Sequence, residues 1–265
     1  MQNFNFHSHT YRCGHANKNF SDEEYVVEYI NNGFKKIAFT DHCPQKVIID
    51  HRRNMRMEYS QKEDYYNSVK ILQEKYKDSI EIELGFEVEY HPSQEKNLLE
   101  LKKETNKLVL GQHFVEDKYG RLKIVGGDSL DDRDLSNYAK YIEIAMEKGI
   151  PDVVVHPDIY MYGRKKFGKI EAKTAHAICK AAEKYGVPLE INLSKVVLYM
   201  TYVTENISYP RKEFWEIASK YNVKVIYGID AHYREQINLY KESIKVANEV
   251  IGQDVIDKLN FCESL

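Results

Sequence analysis

Residues 3–16 read NFNFHSHTYRCGHA and combine a strand pattern with a group of histidines. Phe4 and Phe6 alternate with polar residues, which is the period of a half-buried β-strand. Residues two apart on a strand share a face, so His7 and His9 would present two imidazoles on the same side. A polar turn or chance would also place histidines this close together. The pair alone is therefore a weak indication of a metal site, and the rest of the chain has to decide.

The composition excludes several classes of function. The chain has 265 residues, 43% of them hydrophobic and 30% charged, with a net charge of -3. Because the charge is balanced, a nucleic-acid partner is unfavoured. No apolar run approaches the roughly 18 residues of a membrane span, and no signal segment precedes the first strand pattern. The four cysteines are widely spaced, which fits reduced thiols. We therefore expect a cytoplasmic protein without a membrane partner.

Seven β-rich segments alternate with amphipathic helical ones. The predicted strands are NFNFH (3–7), KKIAFTD (35–41), IEIELGFEVE (80–89), KLVLGQHF (107–114), DVVVHP (152–157), VPLEINL (187–193) and VKVIYGIDA (223–231). The first predicted helix has Ser21 as its N-cap, Glu24 completing a capping box and Gly33 at its end. Seven strand–helix units indicate an α/β parallel architecture in one domain over residues 1–265. The pattern leaves open a closed barrel or an open doubly wound sheet.

Six of the seven predicted strands end in a histidine or a carboxylate. In strand order these residues are His7 with His9, His42, Glu87, His113, His156, and Asp230 with His232. In parallel α/β folds the carboxyl ends of the strands converge on one face, where catalytic residues collect. Any one of these histidines could have a structural role, but six independent coincidences are a poor explanation of the set.

This ligand chemistry favours a multinuclear metal site. Imidazoles and carboxylates without thiolates suit Zn, Mn or Fe. With His15 added, nine candidate ligands are too many for one ion and suit two or three, with a shared carboxylate. Clustered divalent ions acidify a bound water and clamp the oxygens of a displacement at phosphorus. The pattern therefore favours phosphoester hydrolysis by a metal-bound hydroxide.

An ordered set of motifs carries a family resemblance. The motifs are HSH (7–9), CGHA (13–16), FTDHCP (39–44), GFEVEY (85–90), GQHF (111–114), HPD (156–158) and GIDAH (228–232). Their order and spacing resemble the polymerase and histidinol phosphatase (PHP) superfamily, and look most like its histidinol-phosphate phosphatases. The resemblance implies a PHP-type α/β fold, a distorted seven-stranded (β/α)7 barrel, with a trinuclear metal centre.

The resemblance also implies a ligand set for each ion. The first ion would be held by His7, His9, Glu87 and Asp230, the second by Glu87, His113 and His156, and the third by His15, His42 and His232. The predicted catalytic residues are Glu87, Asp230 and His232.

Substrate binding is predicted from two loops. HPDIYMYGRKKFG (156–168) resembles the family's loop after the fifth strand, and Arg164 would grip the phosphoryl group in bidentate fashion. After the sixth strand this sequence departs from the family, because EINLSKVVLYMTYV (190–203) offers only Lys195 before an apolar run. Lys195 is the second predicted substrate-binding residue, and the run itself would be a cap or a partner surface.

A second long segment, QKVIIDHRRNMRMEYS (45–60), follows the second strand on the catalytic side of a barrel. Its position suggests a lid. Its arginines, Arg52, Arg53 and Arg56, are expected to be solvated rather than functional.

The favoured function is hydrolysis of a small phosphate monoester, with L-histidinol phosphate in histidine biosynthesis as the first choice. Rivals within the superfamily are phosphatases for phosphotyrosine peptides or nucleotides, and a nuclease, although a nuclease should carry a basic stripe. Amidohydrolases also begin with a His-x-His pair, but that fold usually wants a Lys where this chain has His113. A metal-stabilised binding module is the non-catalytic alternative, and it would have saturated ligand shells.

Overall fold

The computed structural model describes residues 2–46, 55–126, 130–162 and 164–263. The strands are β1 Phe4–Asn5, β2 Lys36–Phe39, β3 Glu81–Val88, β4 Lys107–Leu110, β5 Phe114–Glu116, β6 Leu122–Ile124, β7 Val153–Val154, β8 Leu189–Asn192, β9 Lys224–Gly228 and β10 Asn260–Phe261. The helices are α1 Asp22–Asn31, α2 Lys62–Tyr76, α3 Glu95–Glu104, α4 Asp132–Glu147, α5 Lys169–Tyr185, α6 Ser194–Met200, α7 Lys212–Ala218, α8 Arg234–Asn238, α9 Tyr240–Ile251 and α10 Gln253–Ile256.

The central sheet is parallel and curled. Its strand order is β1-β2-β3-β4-β7-β8-β9-β10, and each neighbouring pair is parallel. An isolated parallel bridge between Ser8 and Ala231 joins the chain after β1 to the chain after β9. The amide of His9 donates to the carbonyl of Ala231 at 2.9 Å in the same place. The first and seventh predicted strands therefore meet, which confirms the α/β fold and the distorted barrel.

Each of the seven predicted strands is present, but the sequence missed three further ones. β10 pairs with the start of β9, and β5 and β6 form an antiparallel hairpin beside the sheet. The predicted fourth strand, 107–114, is split, because β4 ends at Leu110 and β5 begins at Phe114. The alternation pattern could not show this break, since both parts carry buried apolar residues.

The inner face of the curled sheet holds a small apolar cluster of its own. Its buried members are Phe4, Phe6, Ala38, Val109, Val153, Val155 and Ile226. The opposite faces of the strands pack against the helices in the main core, which includes Ile37, Phe39 and Leu108. The cluster fills the barrel below the carboxyl ends of the strands, so polar side chains can collect only above it.

The strand pattern changes phase where the histidines begin. Phe6 belongs to the inner cluster, yet the adjacent His7 contacts carboxylates above that cluster. Consecutive residues of a regular strand point to opposite faces. β1 therefore ends at Asn5, and the Asn5 side chain bonds the carbonyl of His7 (2.9 Å) and the hydroxyl of Ser8 (2.9 Å). This turn in the chain lets His7 and His9 share the inner side with the phenylalanines.

The sequence signals at the two ends of the first predicted helix are confirmed. Ser21 caps α1 and forms the predicted capping box with Glu24, and Gly33 adopts a left-handed φ of 84° after the helix. The prediction that the apolar run at 196–203 forms a cap or a partner surface is partly wrong, because α6 buries Val196 and Val197, and Val196 belongs to the main core. Among the residues that the structure describes, no helix combines the length and apolar character that crossing a membrane requires.

Candidate metal centre

The carboxyl ends of the strands surround one cavity of about 270 Å³. Seven of the nine predicted metal ligands line it, namely His15, His42, Glu87, His113, His156, Asp230 and His232. The remaining two, His7 and His9, are fully buried against the same group. The structure thus brings together the whole predicted set, which the sequence spreads from residue 7 to residue 232.

The imidazole rings of the cluster are stacked on one another or tilted against one another. Ring centroids are separated by 4.0 Å for His9 and His232, 4.4 Å for His9 and His42, and 4.6 Å for His15 and His232. Histidines that only fill a core are not expected to pack against several other histidines. This crowding is typical of side chains that share bound cations.

Glu87 occupies the middle of the cluster. Its Oε1 lies 2.9 Å from His156 Nε2 and 3.3 Å from His113 Nε2. Its Oε2 lies 2.8 Å from His42 Nδ1 and 3.6 Å from Nε2 of both His7 and His9. One carboxylate therefore faces histidines on both of its oxygens, as a bridging ligand must.

The ligand atoms form overlapping groups whose members lie within 4.8 Å of one another. Four of these groups consist of predicted ligands: His7, His9 and Asp230; His7, Glu87 and His156; His9, His42 and Glu87; and His15, His42 and His232. The first and last correspond to the first and third predicted ions. A further group contains Cys13 with His9 and His232, which the sequence did not suggest as a ligand.

A second observation indicates that these histidines and carboxylates suit divalent ions. Among the described residues, several buried ligand atoms lack a hydrogen-bond partner: His7 Nε2, both ring nitrogens of His9, Glu87 Oε2 and His156 Nδ1. Buried polar atoms are nearly always satisfied, so a cluster of exceptions calls for an explanation such as an ion. Nitrogen and carboxylate oxygen donors suit Zn, Mn or Fe.

A second layer of carboxylates, which sequence reasoning missed, lies behind three of the histidines. Glu190 is 3.0 Å from His7 Nδ1, and Glu89 is 3.1 Å from His113 Nδ1. Asp41 is 3.6 Å from His9 Nδ1. Carboxylates behind ligating histidines fix the ring and its tautomer. A signal was present in the sequence, since the predicted strand 80–89 carries Glu89 two residues after Glu87.

The backbone around the centre is strained or crowded in four places. His156 and Asp230 have φ values of 32° and 54°, a region that non-glycine residues seldom adopt. At Gly111 a Cβ atom would collide with Oε1 of Glu87 and lie 2.9 Å from the His156 ring. At Gly228 it would collide with the Glu190 carboxylate. The chain therefore tolerates only glycine where two of these carboxylates approach the backbone.

The charges of the cluster divide it into two parts. Burial lowers the pKa of His9, but the carboxylates of Asp230 and Asp41 outweigh it and raise the pKa to about 9. The pKa of His7 is raised well above its usual value for a similar reason. By contrast, burial lowers the pKa of His42 to about 3, and burial with the charge of His232 lowers that of His15 to about 4. Near neutral pH the second pair are neutral imidazoles.

The two predicted substrate-binding residues differ in position. Lys195 lines the cavity, with its Nζ 5.4 Å from the Tyr162 ring centre and 5.9 Å from that of Tyr209. Arg164 does not line it, because its guanidinium binds the Glu171 carboxylate and the carbonyl of Leu130 (2.8 Å). The sequence could not show that Glu171, at the start of α5, would bind this arginine.

The predicted lid segment is only partly described. Arg52 and Arg53 lie outside the described residues. Arg56 was expected to be solvated, and that expectation is wrong, because its side chain is buried against Glu89.

A buried, histidine-rich cavity at the carboxyl ends of a curled parallel sheet defines a metallohydrolase type of site. A family model described as PHP domain matches residues 5–194, and the chain belongs to this family. The "probable histidinol-phosphatase" of Deinococcus radiodurans is 24% identical, over 94% of this chain and 94% of that protein. A "probable phosphatase" of Thermoanaerobacter sp. strain X514 is 26% identical, over 94% of this chain and 87% of that protein.

Two solved structures share the fold. HisK of Listeria monocytogenes superposes with a TM-score of 0.73 at 20% identity, covering 88% of this chain and 97% of that one. Histidinol phosphate phosphatase of Lactococcus lactis, solved with zinc, L-histidinol and phosphate, has a TM-score of 0.64 at 18% identity, covering 93% and 94%.

Gly111→Ala should disturb the centre without touching a ligand. The new methyl group would displace the Glu87 carboxylate, and we expect affinity for divalent metal to fall roughly 10–100-fold, as for other changes just outside a ligand set. Gly149→Ala is the control for backbone strain, since Gly149 has a φ of 67° that disfavours alanine but has no atom within 4 Å of the added Cβ. Metal titration of both variants measures the effect. Equal metal affinity in the two variants would contradict the placement of Glu87.

Metal binding should depend on pH differently in the two parts of the cluster. Because His9 keeps its proton up to about pH 9, an ion bound there must release it, and affinity should rise with pH up to that value. His15 and His42 are already neutral above about pH 4, so an ion bound there should release no proton from them between pH 6 and 8. Calorimetry of zinc binding in buffers of different ionisation enthalpy measures this. Identical proton release for all equivalents would refute the division.

Proposed function

We propose that this protein is a metal-dependent phosphatase for a small phosphate monoester, with L-histidinol phosphate as the first candidate substrate. Histidine biosynthesis in the cytoplasm would be its setting, and residues 1–265 would act as one domain. The observation that carries the proposal is Glu87, a buried carboxylate facing His42, His113 and His156 at the floor of an open cavity. The names of the two curated relatives support the reaction class, and the Lactococcus complex supports the choice of substrate.

Two or three divalent ions would be held by the sets predicted from the sequence. Glu87 would be shared between the first two sets, and His15, His42 and His232 would form the third. When bound, such ions lower the pKa of water and neutralise charge on phosphoryl oxygens. The chain's own contribution is to fix the ligands in position, which hydrogen bonds to Glu190 and Glu89 do for His7 and His113.

The outer wall of the cavity would contact the substrate. It contains the apolar side chains of Ile159 and Leu198 and the ring of Tyr209, which is 3% exposed. Lys195 is the one lysine or arginine among the described residues that line the cavity. An ammonium there would attract the dianionic phosphate end of a monoester. The apolar groups would exclude bulk water around it and strengthen that attraction.

Direct hydrolysis without a phosphorylated enzyme is part of the proposal. Burial raises the pKa of both Cys13 and Cys43 to about 12, so neither thiol is a nucleophile at neutral pH. Ser194 lines the cavity, but its hydroxyl accepts a hydrogen bond from the amide of Gln236 at 3.1 Å rather than facing a base. Ordinary covalent catalysis needs a base beside the nucleophile.

Glu87→Gln and Asp230→Asn should each lower metal content and rate together. Each change keeps the shape of the side chain and removes a charge that faces several histidines. We expect kcat/KM to fall at least 100-fold, about 2.7 kcal/mol at the transition state. His176→Ala is the control, because this exposed histidine on α5 contacts the hydroxyl of Tyr221 (2.8 Å) and does not line the cavity. Full activity after thorough chelation would refute the metal-dependent mechanism.

The choice of substrate is tested by comparing phosphate monoesters on metal-replete enzyme. We expect kcat/KM to be highest for L-histidinol phosphate among that ester, phosphotyrosine, AMP and a dinucleotide. Lys195→Ala should reduce kcat/KM on every monoester that is hydrolysed, since the phosphate is the group they share. Arg164→Ala should have little effect on it, because Glu171 already binds this guanidinium. A clear preference for phosphotyrosine or AMP would replace histidinol phosphate, and activity confined to the dinucleotide would contradict a monoesterase.

A further inference from the structure

Arg56 is a buried cation that is separated from the candidate metal centre by one residue, Glu89. Its side chain is 8% exposed, and its two terminal nitrogens lie 2.9 Å and 3.1 Å from the two oxygens of Glu89. Glu89, whose side chain is 4% exposed, in turn lies 3.1 Å from Nδ1 of His113. We propose that Arg56 is a positioning residue for the metal centre, acting through Glu89 on His113. The inference rests on the proposed function for the presence of an ion at His113.

The contact geometry explains how an arginine could set a histidine. A guanidinium that binds both oxygens of a carboxylate fixes the plane of that carboxylate. Glu89 is then held with one oxygen toward His113 Nδ1, which leaves the opposite ring nitrogen, Nε2, facing Glu87 at 3.3 Å. That orientation is the one that a shared ion between Glu87 and His113 requires.

Glu89 needs a partner for electrostatic reasons as well. It stands two residues from Glu87, directly after the end of β3, and both carboxylates are buried. Two like charges this close in a low dielectric repel strongly unless each has its own compensation. The negative charge of Glu87 is compensated by the surrounding histidines, whereas that of Glu89 is compensated by Arg56 and by Nδ1 of His113.

The other two carboxylates of the second layer are held differently. Glu190 accepts a hydrogen bond from the amide of Asn192 (2.7 Å), and Asp41 accepts one from the hydroxyl of Thr10. Both donors are neutral: Thr10 directly follows His9, and Asn192 stands two residues after Glu190 on β8. Arg56 is the charged member of the series, and it comes from the connection between β2 and β3.

A second contact extends the influence of Arg56 to the backbone. Its Nη1 donates to the carbonyl of Cys43 at 3.3 Å, and the amide of Cys43 donates to the carbonyl of Glu87 at 2.8 Å. Cys43 directly follows the ligand His42. The guanidinium therefore ties the ends of β2 and β3 together beside the centre, and its loss should loosen His113 first.

The test measures zinc affinity equivalent by equivalent in Arg56→Gln and Glu89→Gln, by competition with a chelator. We expect one equivalent, the one at His113, to weaken roughly 10–100-fold while the others stay within twofold. The double variant should be no weaker than Glu89→Gln alone, because both changes break one chain of contacts. Arg56→Lys should recover only part of the affinity, since an ammonium lacks the planar fork.

Lys62→Gln is the matched control, because it removes a nearby ion pair, 2.6 Å from Lys62 Nζ to Glu104, that has no link to a ligand. Thermal melting of every variant separates folding from positioning, and Arg56→Lys keeps the test available if Arg56→Gln does not fold. The proposal is overturned if Arg56→Gln and Arg56→Lys bind every equivalent as the parent does, or if all equivalents weaken together with the melting temperature. A parent protein that binds no zinc would overturn this inference and the proposed function together. If the parent shows zinc-dependent hydrolysis and the Arg56 and Glu89 variants bind zinc as the parent does, this inference alone is overturned.

Discussion

Two carboxylates buried inside a barrel impose the main constraint on this protein. Glu87 is 1% exposed and Asp230 is 8% exposed, and an ionised carboxylate out of water is costly unless positive or hydrogen-bonding groups surround it. Burial alone raises the pKa of each, yet the nearby histidines hold both pKa values well below the usual range. Imidazoles at the ends of several strands must therefore surround the two carboxylates. The curvature of the sheet brings those strand ends together.

That the candidate ligands would lie together could be predicted from the sequence, because their grouping follows from a short-range rule. In a curled parallel sheet, polar residues at the carboxyl ends of the strands face one another, whatever the length of each strand. The exact strand bounds did not matter, as the short β1 and β7 show. The phase change between Phe6 and His7 was not predictable, since it depends on hydrogen bonds that Asn5 makes to residues beyond the strand.

The arginines show where sequence reasoning ended. Arg56 and Arg164 both stood in polar, loop-like segments, and one was expected in solvent and the other on the substrate. In the fold each finds a carboxylate, Glu89 for the first and Glu171 for the second. Which acid an arginine meets depends on how loops fold over the barrel, and no local pattern records that. The histidines at the strand ends needed no such information, because the parallel strands direct those ends to one side of the sheet.

The bridge between Ser8 and Ala231 has a consequence for how the protein matures. It joins segments from near the two ends of the chain, and the group of His7, His9 and Asp230 exists only when that junction has formed. Chains fold from the N-terminus during synthesis, at about 5–20 residues per second. His7 and His9 are therefore synthesised more than 200 residues before Asp230 and His232, with which they group in the folded protein. A divalent ion offered to a growing chain would find His7 and His9 without Asp230, so complete loading of the proposed centre would follow translation of the seventh strand.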